Sequence, residues 1–250
     1  MKHPKTTRTA LRALLAVAAL ALGAQLALAQ EAAIRKNIAA RLPDFPKIDE
    51  VSKTPIPGLY ELRIGSDVLY SDEQGNYVIE GNIIDTRSRT NLTQERQDKL
   101  NAIDFASLPL KDAVVWKQGT GARRIAVFAD PNCGYCKKFE HELQNVKNVT
   151  VYTFLIPILG GDSPEKSANI WCAKDNTRAW RDWMLDGKAP PRNMGACETP
   201  MARNLALSRK HRINATPAII FEDGSRNPGL LGAQDLERRL ASTSGSSTTR

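Results

Sequence analysis

Cysteine and histidine are scarce in this chain, with four of the first and three of the second among 250 residues. Cys133 and Cys136 stand close together, but Cys172 and Cys197 are not spaced as a matching pair, and His3 sits at the extreme N-terminus. Structural zinc ordinarily takes four Cys or His ligands from two closely spaced pairs. Half a zinc site is therefore the weaker reading of Cys133 and Cys136, and no metal is expected. No Lys/Arg run interleaved with aromatics occurs, so no nucleic-acid partner is expected either. The one extended apolar run, Ala13 to Leu28, is about 16 residues, short of the roughly 20 that span a bilayer.

That run has another explanation. Lys2, Lys5, Arg8 and Arg12 precede it as a basic segment, and Ala27-Leu28-Ala29 follows as a small-x-small cleavage site. Residues 1–29 thus read as a secretory signal peptide, giving a mature chain from Gln30. Removing it takes the formal net charge from +8 to +4, with 31 basic against 27 acidic residues, so the working chain is only mildly basic. Export also places the cysteines in a compartment where disulfides persist, such as the bacterial periplasm.

The central stretch is Phe128-Ala129-Asp130-Pro131-Asn132-Cys133-Gly134-Tyr135-Cys136. An apolar β-type run, Arg124 to Ala129, enters a short turn, and a helical pattern follows the cysteines. A Cys-x-x-Cys pair where strand hands over to helix signals thiol–disulfide chemistry. Unpaired N–H groups and the positive end of the macrodipole favour an anion at a helix N-terminus. Cys133 is expected there with a lowered pKa, as the nucleophile. Cys136, one turn on, is the expected resolving thiol, and Gly134 and Tyr135 between them tune the pair or contact substrate.

A second signal is Asn214-Ala215-Thr216-Pro217, which opens the apolar strand Ala218-Ile219-Ile220-Phe221. A proline is tolerated at the first residue of a strand and there marks a special turn, sometimes a cis bond. Read together with the Cys-x-x-Cys, Thr216-Pro217 resembles the loop that thioredoxin-like folds place beside their cysteines, and that resemblance implies that Thr216 and Pro217 hold an extended substrate segment.

Around these lies a two-module order. Residues 30–87 begin with helical spacing at Ala32, Ile34, Ile38 and Leu42, ended by Pro43 and Pro46. Alternating segments over 58–64, 67–71 and 76–80, with Gly65-Ser66 and Asp72–Gly75 at the corners, predict a β-meander. So small a core calls for partnering, and this module is expected to dimerise. Residues 88–110 contain a sparsely apolar helix, read as a linker between the modules. Residues 111–241 read as strand, strand, helix, strand, then helical stretches over 165–185 and 200–209, the strand at 217–221, a hairpin and a final helix. Residues 242–250 are polar and expected to be disordered.

With these motifs in view, the chain resembles the DsbC family of periplasmic protein-disulfide isomerases. The resemblance rests on Cys133-Gly134-Tyr135-Cys136, on Trp171-Cys172-Ala173-Lys174-Asp175 and on Thr216-Pro217, and covers essentially the whole mature chain. It implies an α+β architecture: a thioredoxin-like catalytic domain with a helical insertion, preceded by a small cystatin-like dimerisation domain and a linker helix. It further implies a V-shaped homodimer with two active sites facing a cleft, and a structural disulfide joining Cys172 and Cys197. In an oxidising compartment, closing such a loop of about 25 residues is worth on the order of 3 kcal/mol. A second redox centre at these two cysteines is the competing reading.

The expected activity is isomerisation of wrong disulfides in misoxidised exported proteins, with no cofactor beyond the redox-active Cys133–Cys136 pair. A membrane thiol reductase of the DsbD type would keep the pair reduced. The alternatives are a net oxidase, a DsbG-like reductase of sulfenylated cysteines, and a chaperone whose cleft works without thiols.

Overall fold

The structure, a computed structural model, describes residues 28–244. The expected leader therefore lies outside the described residues up to residue 27, as does the expected tail from residue 245 onward. The chain forms two compact units that divide between Leu100 and Asn101.

In the first unit, helical residues 28–41 (α1) cover a four-stranded antiparallel meander. Its strands are β1 (Glu50–Lys53), β2 (Leu59–Ile64), β3 (Asp67–Asp72) and β4 (Val78–Ile79), in that spatial order. Ile34 and Ile38, one turn apart on α1, bury against Ile48, Tyr60 and Leu62 to form the core. The β3–β4 turn comes so close to α1 that a Cβ on Gly75 would lie 2.9 Å from the Ile34 carbonyl oxygen, and its φ is +66°. Both conditions restrict this position to glycine.

Residues 84–91 form a small hairpin, β5 (Ile84–Asp85) and β6 (Thr90–Asn91), where sequence alone shows a polar connection. The helix expected within 88–110 is confined to α2 (Leu92–Leu100) and belongs to the first unit. Polar contacts fix it there. The buried Thr93 hydroxyl bonds to the Tyr70 hydroxyl and accepts from the Ile83 N–H at 2.9 Å. Arg96 pairs with Glu61 at 2.8 Å and Glu50 at 3.1 Å. Residues 101–110, also assigned to the linker by sequence, are in the second unit, where Ile103, Phe105 and Leu108 are buried.

The second unit is built on a five-stranded sheet ordered β11-β10-β8-β9-β7. Its strands are β7 (Val114–Gln118), β8 (Arg123–Ala129), β9 (Val149–Leu155), β10 (Ala218–Phe221) and β11 (Arg226–Pro228). Only β8 and β9 run parallel, joined by α3 (Gly134–Leu143) in a βαβ crossover. Central β8 is covered on both faces, which accounts for its unbroken apolar run. Ile125, Val127 and Ala129 face the larger core with α3, while Ala126 and Phe128 face a second core with Phe105 and Phe154.

Between β9 and β10 the chain inserts α4 (Ser163–Trp171), α5 (Asn176–Asp186) and α6 (Met201–Lys210). The single helical stretch expected over 165–185 is thus two helices. The break follows because Asp175 caps α5, its carboxylate accepting from the Arg178 N–H at 2.9 Å. Cys172, which ends α4, is bonded to Cys197, with Cα atoms 6.0 Å apart. Helix α7 (Ala233–Ser244) runs three residues into the expected tail.

The Cys172–Cys197 bond closes a loop with a sequence separation of 25. Replacing both cysteines by alanine is expected to lower the stability of the second unit by about 3 kcal/mol in urea unfolding, with the far-ultraviolet circular dichroism of the native state retained.

Candidate active site

Strand β8 delivers the chain to Asp130, and a tight turn, with the Cys133 N–H donating to the Asp130 carbonyl at 3.0 Å, leads into α3. Cys133 is the N-cap, with extended φ −74° and ψ 114°, and its Sγ accepts from the Cys136 N–H at 3.1 Å. Its carbonyl accepts the Lys137 N–H at 3.1 Å, the first bond of the helix. A sulfur thus occupies the place where Ser or Asp commonly caps a helix. Because β10 pairs with β8, Ala218 opposite Phe128, the residues just before β10 lie beside this turn. There the Thr216–Pro217 peptide is cis, and the Cys133 thiol donates to the Thr216 carbonyl at 3.3 Å. The fold therefore brings Cys133 and Cys136 together with Thr216 and Pro217. Gly134 and Tyr135, between the cysteines, are exposed, Tyr135 to 61%.

Both sulfurs are unpaired and largely buried. Their acidities nevertheless diverge. Cys133 is lowered to about 6, chiefly by the hydrogen bond from the Cys136 side chain, with lesser help from the Thr216 side chain and from the N–H groups of Cys136 and Tyr135, against an opposing effect of burial. The Cys136 thiol is driven far above its ordinary value, first by burial and then by the neighbouring Cys133 sulfur. Near neutral pH the pair therefore holds one proton, on Cys136, and one negative charge, on Cys133.

Further residues frame this pair without having been anticipated from sequence. The wholly buried Asp130 accepts from the Asn132 N–H at 2.8 Å, the Ser163 hydroxyl at 2.7 Å and the Leu159 N–H at 2.9 Å. Trp183 of α5 donates its indole N–H to the Pro131 carbonyl at 2.6 Å, and the ammonium groups of Lys137 and Lys166 each lie 4.0 Å from its ring centre. Lys166 also donates to Asn132 Oδ1 at 2.6 Å. Glu140, buried on α3, accepts from the Trp180 indole N–H at 2.7 Å and is pushed up to about 7, mainly by burial. Two of these left a trace in the sequence: Asp130 ends an apolar strand, and Glu140 interrupts the apolar face of α3. Lys166 and Trp183 left none. Among the described residues, no group of three or more His, Cys, Asp and Glu could hold a metal ion.

This geometry has known counterparts. Residues 110–244 match the model of a thioredoxin-like domain, and residues 25–94 match that of the disulfide bond isomerase protein N-terminal domain. The chain is 45% identical to a Bordetella pertussis protein named "Probable thiol:disulfide interchange protein DsbC", over 84% of this chain and 74% of that one. The chain belongs to the DsbC family. Escherichia coli DsbC, named a thiol:disulfide interchange protein, is 28% identical over 85% of this chain and 88% of its own length. Among solved structures, a disulfide interchange protein from Neisseria gonorrhoeae superposes with a TM-score of 0.52 at 34% identity, covering 54% of this chain and 98% of that one. As a DsbC-family member the chain is a thiol:disulfide interchange enzyme with a thioredoxin-like second unit.

The unequal acidities predict unequal alkylation. The rate of Cys133 modification by iodoacetamide, followed by peptide mass, should climb as pH rises through about 6 and then level off. A lowered pKa fixes that sign, because the reactive thiolate is the form present above it. Cys136 should stay unmodified across the same range.

Proposed function

We propose that the chain is a periplasmic protein-disulfide isomerase and reductase that reshuffles wrong disulfides in exported proteins. The observation that carries this reading is the Cys133 sulfur, held by the Cys136 N–H at 3.1 Å at the head of a helix and beside the Thr216 carbonyl at 3.3 Å. The Cys133 thiolate attacks a substrate disulfide. A bond forms from Cys133 to one substrate sulfur, and the other leaves as a thiolate. If a substrate thiolate then attacks the captured sulfur, Cys133 is released unchanged and the substrate is isomerised with no net electron transfer. If Cys136 attacks Cys133 instead, the substrate leaves reduced by two electrons and the pair becomes a disulfide. An acidic Cys133 favours both entry and exit, since a stable thiolate is also a good leaving group.

In this reading Thr216 and Pro217 hold the extended substrate backbone by main-chain pairing, as in strand addition. Exposed Tyr135 meets the substrate, and Gly134, with nothing within 4 Å of a Cβ built on it, leaves the approach to Cys133 open. The N-terminal module dimerises, the leader directs export and is cleaved, and a membrane thiol reductase of the DsbD type returns the pair to its reduced state. The electrons reside in the two sulfurs, so the cycle needs no other cofactor.

The decisive measurement is reactivation of scrambled ribonuclease, with insulin reduction in parallel and native mass spectrometry of the same preparation. Cys133→Ala should reduce both activities by at least about 100-fold. Cys136→Ala should retain part of the reactivation, lose insulin reduction and accumulate a mixed disulfide on Cys133. Reactivation by Cys133→Ala at the native rate would sink the proposal, and a monomeric mass would remove the dimer from it.

A further inference from the structure

Resolution by Cys136 poses a chemical problem. Its thiol is 2% exposed and held far above the ordinary range, yet it must lose a proton before it can attack. It belongs to an apolar core cluster that also holds Val114 and Trp116 from β7, Val127 from β8 and Val151 from β9. Two buried carboxyls belong to the same helix or to the turn that enters it. Asp130, in the turn before Cys133, has its Oδ1 engaged by Asn132 and Ser163 and its Oδ2 by Leu159. Glu140 is different. It follows Cys136 by one turn on the buried face of α3, and its Oε1 is fixed by Trp180, which shares the core cluster of both cysteines. Its Oε2 is buried with no hydrogen-bond partner. Side chains four residues apart on a helix are neighbours, and each leans toward the helix N-terminus, which here is the turn carrying Cys136.

The geometry points to Glu140 Oε2 as the acceptor of the proton that Cys136 releases when it resolves the mixed disulfide on Cys133. This rests on the roles assigned above to Cys133 and Cys136. In the step, the Cys136–Cys133 bond forms and the bond from Cys133 to the substrate sulfur breaks. The electron pair departs on the substrate thiolate, and the Cys136 proton passes to Glu140. Re-reduction of the pair returns the proton to Cys136. Arg181 from α5 is the charged group that acts on Glu140, and Cys136 stands one turn before it on the buried face of the same helix. The Trp180 hydrogen bond and the Arg181 charge lower Glu140 against the upward push of burial, leaving it at about 7, suited to a base working near neutrality.

A symmetrical chromogenic aryl disulfide separates the two steps in the reduced full-length protein. One aryl thiolate is released as Cys133 attacks and a second as Cys136 resolves. In the native chain the second release should rise with pH through an inflection near 7. Glu140→Gln keeps an oxygen for Trp180 but removes the base. Its second release, relative to the first, should fall by about tenfold or more above that inflection, and the inflection should disappear. Trp180→Phe removes a hydrogen bond that lowers the Glu140 pKa, so there the inflection should move to higher pH; this variant answers the question even if the first fails to fold. A second release with the native rate and pH profile in Glu140→Gln, or an unmoved inflection in Trp180→Phe, overturns the inference. Absence of the first release in the native chain would instead overturn the assignment of Cys133.

Discussion

A negative sulfur at the opening turn of α3 is the constraint on which the second unit turns. Cys133 and Cys136 are chemically identical, and both lie in the core cluster. Burial alone would make both poor acids. What separates them is position relative to the helix end: Cys133 receives an N–H and a thiol hydrogen, whereas Cys136, one turn inside, receives far less. The balance tips for Cys133 to a value of about 6, so the thiolate is its favoured form at neutral pH. Donors in fixed positions thus outweigh desolvation at one sulfur and lose to it at the other.

The rest of the unit serves that arrangement. A central strand buried on both faces gives α3 a stiff base, and antiparallel β10 brings Thr216 within reach of a sulfur 83 positions earlier in the chain. Helices α4 and α5 support the turn from the other side through Ser163, Lys166 and Trp183. The first unit solves a separate problem. Its few strands close a core against α1 only by letting the Gly75 turn approach the helix backbone.

Much of this could be read from the residues themselves. The Cys-x-x-Cys at a strand-to-helix junction and the proline opening a strand are local signals, and local signals survive in a sequence. The apolar alternation of β2 and β3 and the double-sided burial of β8 likewise leave periodic marks. Strand β1, Glu50-Val51-Ser52-Lys53, leaves little mark, because it exists through pairing with β2 more than through its own composition. The place of α2 was hidden for a related reason. Its attachment runs through a threonine hydroxyl and an arginine, and a periodicity built on apolar residues passes over both. Glu140 and Trp180 lie 40 positions apart, and nothing before the fold links them.

The Asp130 carboxylate has a mechanical consequence. It gathers donors from the active-site turn at Asn132, from the exit of β9 at Leu159 and from the head of α4 at Ser163. The Cys133 turn and the root of the insertion are therefore tied to one side chain. A load on the helical lobe is passed through that carboxylate to the base of the sulfur's turn.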